Sequence, residues 1–578
     1  MIHYISSLHK RTGYHIIGML ITCCLIMLTP MWAQWPGVHE NLAVCDDPSD
    51  QYIPQIVRDG NDGCIIIWYD ARNGMDHINV YGQRVSADGE ELWTQGGLQL
   101  TDTPSYTWVS YLFMCADGAG GAYFAWQDPR EGNHNIYVQR IDSTGTPYWA
   151  ANGIQVSSTS QDDFINGVIP DGSGGCIVAW NEWTTHEAIQ CQRLNAAGDK
   201  LWGTFGVEVS EGTDFATNST ILSDGCGGII ACWLDGRYWP NWNDFKDIYA
   251  QRVDSLGQLC WADTGICVVG LGSVPFSFFP RMVSNNAERY YIAWQDWRNN
   301  SHDIYAQGLS QEGEISWTVN GTAVCDTVLD QVSPQILMFD EQRIFCAWRD
   351  YYDYIYAQLL DDEANHLWQY GGVLVASGDN ELQLMDAVQL SSGDMAVVYT
   401  EQLPGVSDEY IKAQALDTMG TCLWDTSNMY VSSVVSGKSR VRMIADSCGG
   451  IIAVWQDYRN AAYVADIFAQ RVDPDVAVEE NDYDRVSSTF LTLIPNPCAD
   501  RLIIRFSNQT NENTSVAVYD IAGCLVKTLY RGASGSGMLE LVWDLKSDAG
   551  SPVPNGIYFV RAWNGIQQEA INKVTVVR

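Results

Sequence analysis

Positive charge is scarce in this sequence. Its 578 residues hold 32 Lys and Arg against 70 Asp and Glu, for a net charge of −38. Nucleic acid and anionic membrane surfaces are thereby excluded as partners, because the long-range electrostatic term is repulsive. Histidine is also rare, at 9 residues, and neither a CxxC pair nor a His cluster offers a zinc site, so no metal ligands are assigned. The 17 cysteines lack the compact rhythm of a disulfide-stapled domain. Many recur at matched positions, such as Cys64 with Cys176 and Cys45 with Cys325, and read as small buried hydrophobes. Beyond the N-terminus no amphipathic helix of useful length can be drawn.

What the chain has instead is tryptophan, 23 residues of it, and a repeat. The best copy runs from Asp224 to Trp261. A Gly-rich turn, Asp224 to Gly228, precedes the apolar, β-branched run Ile229 to Trp233, the mark of a strand buried on both faces. A second strand, Ile248 to Val253, alternates, and Asp254-Ser255-Leu256-Gly257 reads as a tight turn. A third strand is expected from Trp261 to Val268 and a fourth near Arg281 to Ser284.

The Trp that ends the buried run recurs at Trp68, Trp126, Trp180, Trp233, Trp294, Trp348 and Trp455, with Tyr399 filling the gap. The steps range from 51 residues (Trp348 to Tyr399) to 61 (Trp233 to Trp294). A second column follows the Asp-x-x-Gly turn: Trp93, Trp149, Trp202, Trp261, Trp317, Trp368 and Trp424. Four strands per unit at this period imply an all-β, eight-bladed β-propeller. The eighth unit stops at Val472 without its last strand. Trp35 with Ala43-Val44-Cys45-Asp46 matches Trp317 with Ala323-Val324-Cys325-Asp326, so the N-terminal segment is expected to close the ring.

Residues 1–33 have the layout of a signal peptide: His9-Lys10-Arg11, an apolar core from Ile16 to Leu28, and Ala33 before the cut. No transmembrane segment is expected after cleavage. The propeller is expected over 34–474, an acidic linker over 475–488, and a small C-terminal β-sandwich over 489–578. In that last part IPNPCADRLIIRF, VAVYDIAGCLVKTL, PNGIYFVRAW and the terminal KVTVVR resemble the C-terminal sorting domains of type IX secretion substrates. LVWDLKSDAGSPVPNGIYFVRA is also similar to the immunoglobulin-like domain of flagellar hook-capping proteins. The first resemblance implies the type IX-like secretion machinery as a partner and a secreted or outer-surface location.

Chemistry is harder to place. The Trp-x-Asp-x-Arg element (Asp70/Arg72, Asp128/Arg130, Asp235/Arg237, Asp296/Arg298, Asp457/Arg459) repeats in most blades. Catalysis needs one asymmetric site, so these residues read as framework that caps the strand and bridges to the next blade, and no catalytic residue is assigned. Glu182, Glu401 and Glu409 deviate mildly from the repeat. The Asp-Gly-x-Gly-Gly turns faintly resemble calcium loops, Asp59-Gly60-Asn61-Asp62 most of all, but offer too few oxygens. They read as hairpin turns, and no cofactor is assigned. The DSTGTPYW and DSLGQLCW pieces resemble the turns of eight-bladed quinoprotein dehydrogenases in architecture alone.

Aromatics that the repeat does not explain gather in loops on one face: Trp108, Trp183, Trp239, Trp242, Trp297, Tyr351, Tyr352 and Tyr458. Such rings stack on sugars or anchor a protein partner. The expectation is a non-enzymatic propeller that binds a glycan or a protein there. The alternatives are a glycan-active hydrolase or lyase and a purely structural envelope component.

Overall fold

The computed structural model describes residues 35–472, apart from 104–110, 184–186, 238–246, 271–276, 425–428 and a few single or paired positions. It also describes 491–577, apart from short internal stretches. The expected signal peptide and linker lie outside the described residues. The chain divides into two compact units, one ending at Val472 and one starting at Asp473.

The first unit contains eight four-stranded antiparallel sheets. Blades 1 to 7 are continuous, over 51–99, 112–155, 163–208, 216–269, 277–325, 331–376 and 382–436. Blade 8 combines Lys438–Ala445, Ile451–Ala461 and Val464–Val472 with the N-terminal strand Leu42–Cys45. That strand pairs Leu42 with Ala469 and Cys45 with Ile467, as expected from the missing strand. Inner strands neighbour one another in cyclic order, blade 8 against blade 1 included. Eight apolar clusters fill the eight gaps between neighbouring blades. The cluster of Val44, Cys45, Ile56, Trp68, Val454 and Ile467 seals the junction of blades 8 and 1. An eight-bladed propeller closed by its N-terminal strand is the result.

Local chemistry explains each blade. In blade 4 one oxygen of Asp224 accepts the backbone N–H groups of Cys226 (2.8 Å) and Gly228 (2.7 Å), which closes the first turn. Gly228 cannot be replaced there, since a Cβ would lie 2.1 Å from the carbonyl oxygen of Val253. The following strand, Ile229–Asp235, is buried along its whole length. Burying one indole removes roughly 150–250 Å² from water, worth about 4–6 kcal/mol against an extended chain.

The outermost strand of blade 4 is shorter than expected, Ile266–Val269, and Trp261 precedes it. A side chain replaces the backbone ladder at this point. Gln251 is fully buried, donates to the Ala262 carbonyl (2.8 Å) and accepts the Trp261 N–H (3.0 Å). Gln83, Gln139, Gln192, Gln307, Gln358 and Gln470 donate to the matching carbonyl in their own blades, and Gln414 donates to the carbonyl of Trp424 itself. The second Trp column then reaches outward. The indole N–H of Trp93 donates to Ser143 (3.0 Å), that of Trp202 to Ser255 (3.2 Å) and that of Trp317 to Asp362 (2.9 Å), each a carbonyl in the next blade. Trp35 makes the same bond to Ala87 (2.9 Å) and thereby takes its expected place in the column.

The expected fourth strand near Arg281 belongs to Ser277–Ser284, which opens blade 5 on the axis. The Trp-x-Asp-x-Arg element also differs from expectation. Arg237 holds Asp235 (2.7 Å), lies 3.8 Å over the Tyr249 ring and donates to the Thr264 carbonyl (2.9 Å), so it staples three strands of its own blade. The reach across blades is backward. Asp128 accepts the Thr103 hydroxyl (3.1 Å) from the preceding connection, Asp457 accepts that of Ser436 (2.7 Å) from the last strand of blade 7, and Arg72 donates to Cys45 Sγ of blade 8 (3.1 Å).

The second unit is a sandwich of a three-stranded and a four-stranded sheet. Leu502, Ile504 and Trp543 from one sheet meet Val516, Val518, Val560 and Val574 from the other in a single core. Leu491–Ile494 is an edge strand of the three-stranded sheet and Leu525–Ala533 an edge strand of the four-stranded one. Among the described residues no helix is long and apolar enough to cross a membrane.

Candidate functional site: a cavity on the propeller axis

Antiparallel order puts the loops after each second strand and the blade-to-blade connections on one face. Of the eight nominated aromatics, Trp108, Trp239 and Trp242 lie outside the described residues. Trp297 is half-buried and meets His302 edge-on at 4.3 Å, a packing contact inside blade 5. Tyr458 is half-buried too, with its hydroxyl near the Gln456 amide (3.4 Å). Tyr351 and Tyr352 are 60% and 61% exposed and meet edge-on at 5.5 Å. Asp350 fixes their turn by accepting the N–H groups of Tyr352 and Tyr354, both at 2.9 Å.

Among the described members of the eight, Trp183 lines a cavity of about 460 Å³. The walls come from four consecutive blades: Tyr111 and Phe113, Phe164 and Asn166, Thr217 and Ser219, then Phe279 and Arg281. Each pair belongs to, or immediately precedes, an inner strand. The cavity is therefore a pocket in the axial funnel that takes no residue from the other four blades.

Two local departures from the repeat build it. In blade 3, Trp180-Asn181-Glu182 replaces the Trp-x-Asp pattern, and the Trp180 indole N–H has no acceptor. Asn181 instead donates to the Ala216 carbonyl (2.6 Å) and accepts the Asn166 amide (2.6 Å), fixing both amides at the wall. Trp183, 42% exposed, leans on Phe164 at 5.6 Å. In blade 5 the ladder slips between Phe278 and Arg281, and Phe279 takes φ +52°. A bulky residue in the left-handed region costs about 1–2 kcal/mol. The bulge turns its ring out of the sheet, where it is 55% exposed. Ile53, Ser333 and Arg440 hold the same bulge in blades 1, 6 and 8, so the backbone device is shared while the ring belongs to blade 5.

Sequence reasoning did not single out Phe164, Asn166, Asn181 or Phe279 as site residues, and it read Arg281 only as part of a strand. The available signal was the recurring X-Pro pair at Ile53-Pro54, Phe279-Pro280 and Ser333-Pro334. Proline inside a strand run marks an edge or a bulge.

The deviating acids are mostly engaged. Burial would raise the carboxyl of Glu401, but Lys412 (2.5 Å) and Asn380 (2.9 Å) outweigh it and hold it low. Glu409 is pushed up by burial. Asp163, opposite Glu182 in the blade 3 ladder and fully buried, is pushed up to about 7, chiefly by burial. In the Gly-rich turn of blade 1, Asp59 accepts Asn61 and Gly63 N–H groups and pairs with Arg84 at 2.8 Å.

The family model of the secretion system C-terminal sorting domain matches residues 492–577. No curated protein matches the chain. Among solved structures, the β-propeller domain of the trilobed protease from Pyrococcus furiosus is 11% identical (TM-score 0.36), covering 66% of this chain and 99% of that one. PorZ, a surface component of the type IX secretion system of Porphyromonas gingivalis, is 10% identical (TM-score 0.23), covering 92% and 82%. A puromycin-hydrolysing peptidase of Mycobacterium tuberculosis is 12% identical (TM-score 0.34), covering 69% of this chain, which spans only 58% of the peptidase. Likeness this slight says nothing of activity, and the propeller rests on the strand pairings themselves. Those pairings and the matched tail identify a secreted, cell-surface β-propeller protein that carries a type IX secretion C-terminal sorting domain.

Proposed function

We propose that this surface protein is a binding propeller whose axial cavity holds a saccharide. One observation carries the reading: rings from successive blades converge on one pocket beside amide and hydroxyl groups. Trp183, Phe164 and Phe279 offer faces for stacking on sugar rings. Asn166, Asn181 and Thr217 offer the donors and acceptors that hydroxyls require. Ser219 adds a buried hydroxyl with no hydrogen-bond partner among the described residues. A volume of about 460 Å³ suits a short oligosaccharide rather than a folded domain and falls in the small-ligand range of roughly 300–1,000 Å³.

Glycoside hydrolysis by the usual route needs two carboxyl groups flanking the bond. The described lining residues supply Glu187. Binding is therefore the better supported reading. A glycan array probed with the full chain and with Trp183→Ala tests it. The wild type should retain a defined set of saccharides and the variant should lose them, with the melting temperature unchanged. Equal retention by both removes this cavity from consideration, and turnover of a bound saccharide would replace binding with catalysis.

A further inference from the structure

Charge on the axis is the reverse of charge on the chain. The eight inner strands carry Arg58, Arg281, Lys438, Arg440 and Arg442 against Asp163 and Asp386, whereas the whole sequence has 32 basic and 70 acidic residues. The same strands hold the propeller's unpaired arginines. Every other described arginine of the propeller has an Asp or Glu within ion-pair distance. Among the described residues Arg58, Arg281, Arg440 and Arg442 have none.

Arg281 is the informative one because it lines the cavity. It is exposed by surface area yet hemmed in by protein, as a side chain in a funnel is, and burial lowers its pKa. Arg442 adds a like charge from blade 8, and Asp386 of blade 7 is the carboxylate that answers both. Asp386 does not close on either. Its oxygens accept the N–H groups of Ala387 (3.0 Å) and Met443 (3.1 Å), and burial raises its pKa. A guanidinium without an ion-pair partner is open to an oxyanion, and a carboxylate or sulfate edge can accept its two parallel N–H groups. Low-dielectric walls focus its field outward through the mouth, while the acidic exterior repels anions elsewhere.

We propose that the cavity selects an acidic saccharide, with a carboxylate or sulfate group on the Arg281 guanidinium and a sugar face against Trp183 or Phe279. This rests on the saccharide reading above and adds the charge. Selection follows from the same contact, since a neutral sugar leaves the guanidinium unanswered.

The test is a glycan array of uronate-bearing and sulfated saccharides with their neutral counterparts, probed at low and high salt with the full chain and with Arg281→Gln. Affinities of the hits are then measured in solution. The acidic member of a pair should bind about ten- to hundredfold tighter. That preference should shrink with salt and vanish in Arg281→Gln, whose melting temperature should hold because the Arg281 side chain is exposed and has no ion-pair partner among the described residues. Preference for uronate assigns a carboxylate, and preference for the sulfated form assigns a sulfate. Equal binding within pairs, or a preference that survives Arg281→Gln, overturns this inference and leaves the saccharide reading standing. Silence across the array, or retention of an acidic peptide alone, overturns both.

Discussion

Asn41 is the residue on which ring closure turns, and replacing it with alanine should open the seam. It is 5% exposed and sits at φ +60° just before the N-terminal strand. Its amide donates to the Val431 carbonyl and to Gln470 Oε1, both at 3.2 Å, while its oxygen accepts the Ser432 hydroxyl (2.7 Å) and Arg459 Nη2 (3.0 Å). Asn41→Ala does not strand every partner. Arg459 keeps Asp457 at 2.6 Å and the Glu40 carbonyl at 2.7 Å. The Ser432 hydroxyl and Gln470 Oε1 are left buried, at about 1–3 kcal/mol each. Alanine in the left-handed region adds about 1–2 kcal/mol. The expected loss is thus about 3–8 kcal/mol, a large part of a typical domain's roughly 5–15 kcal/mol.

Urea unfolding followed by tryptophan fluorescence, alongside limited proteolysis of the N-terminal segment, reads this loss. Asn41→Gly is the control, since glycine tolerates the backbone and should fare better than alanine by about 1 kcal/mol. A loss below about 1 kcal/mol in Asn41→Ala, or a glycine variant worse than the alanine one, would refute the seam argument.

Three further outcomes are expected. Gln251→Ala leaves the Ala262 carbonyl and Trp261 N–H without their partner; it should cost about 2–4 kcal/mol in denaturant and red-shift the Trp261 emission, and a neutral result would mean the column is dispensable. Asp163 has its folded pKa raised from 3.8 to about 7, so its contribution to stability is full below pH 4 and lost as pH climbs to 7. Asp163→Asn should remove that slope, gaining on the wild type across the window by up to about 4 kcal/mol, and parallel pH profiles would contradict it. A chain ended at Val472 should fold, as judged by circular dichroism and heat unfolding, yet fail to reach the cell surface; surface display of that chain would show the tail to be dispensable for sorting.

The repeat made the ring legible. Trp233 and its counterparts recur because each blade must bury one large ring between two neighbours, and such a demand leaves the same letter at the same interval. The junction could be read for the same reason: Trp35 and Val44 carry the signature of a fourth strand where no blade precedes them. The reach of each staple was not legible, since Asp235 and Arg237 lie two residues apart and only the folded sheet shows which one crosses a boundary. The cavity was legible in part. Trp183 stood out because it breaks the repeat, whereas Phe279 acts through a bulge that only its place before Pro280 marks in the sequence. Trp297 looked equally unexplained, but His302, five residues on, accounts for it.

The strand through which the propeller hands over to its tail, Val464–Val472, is interior to blade 8, with Ile451–Ala461 on one flank and Leu42–Cys45 on the other. Any tug delivered through the sorting domain, by the exporter or by an anchor on the envelope, loads that strand along its length. The bonds on both flanks then share the force in shear instead of peeling one by one from an exposed edge. A molecule held by its tail in flowing surroundings thus hangs from one of its best-clamped segments, and Leu42–Cys45 completes the clamp.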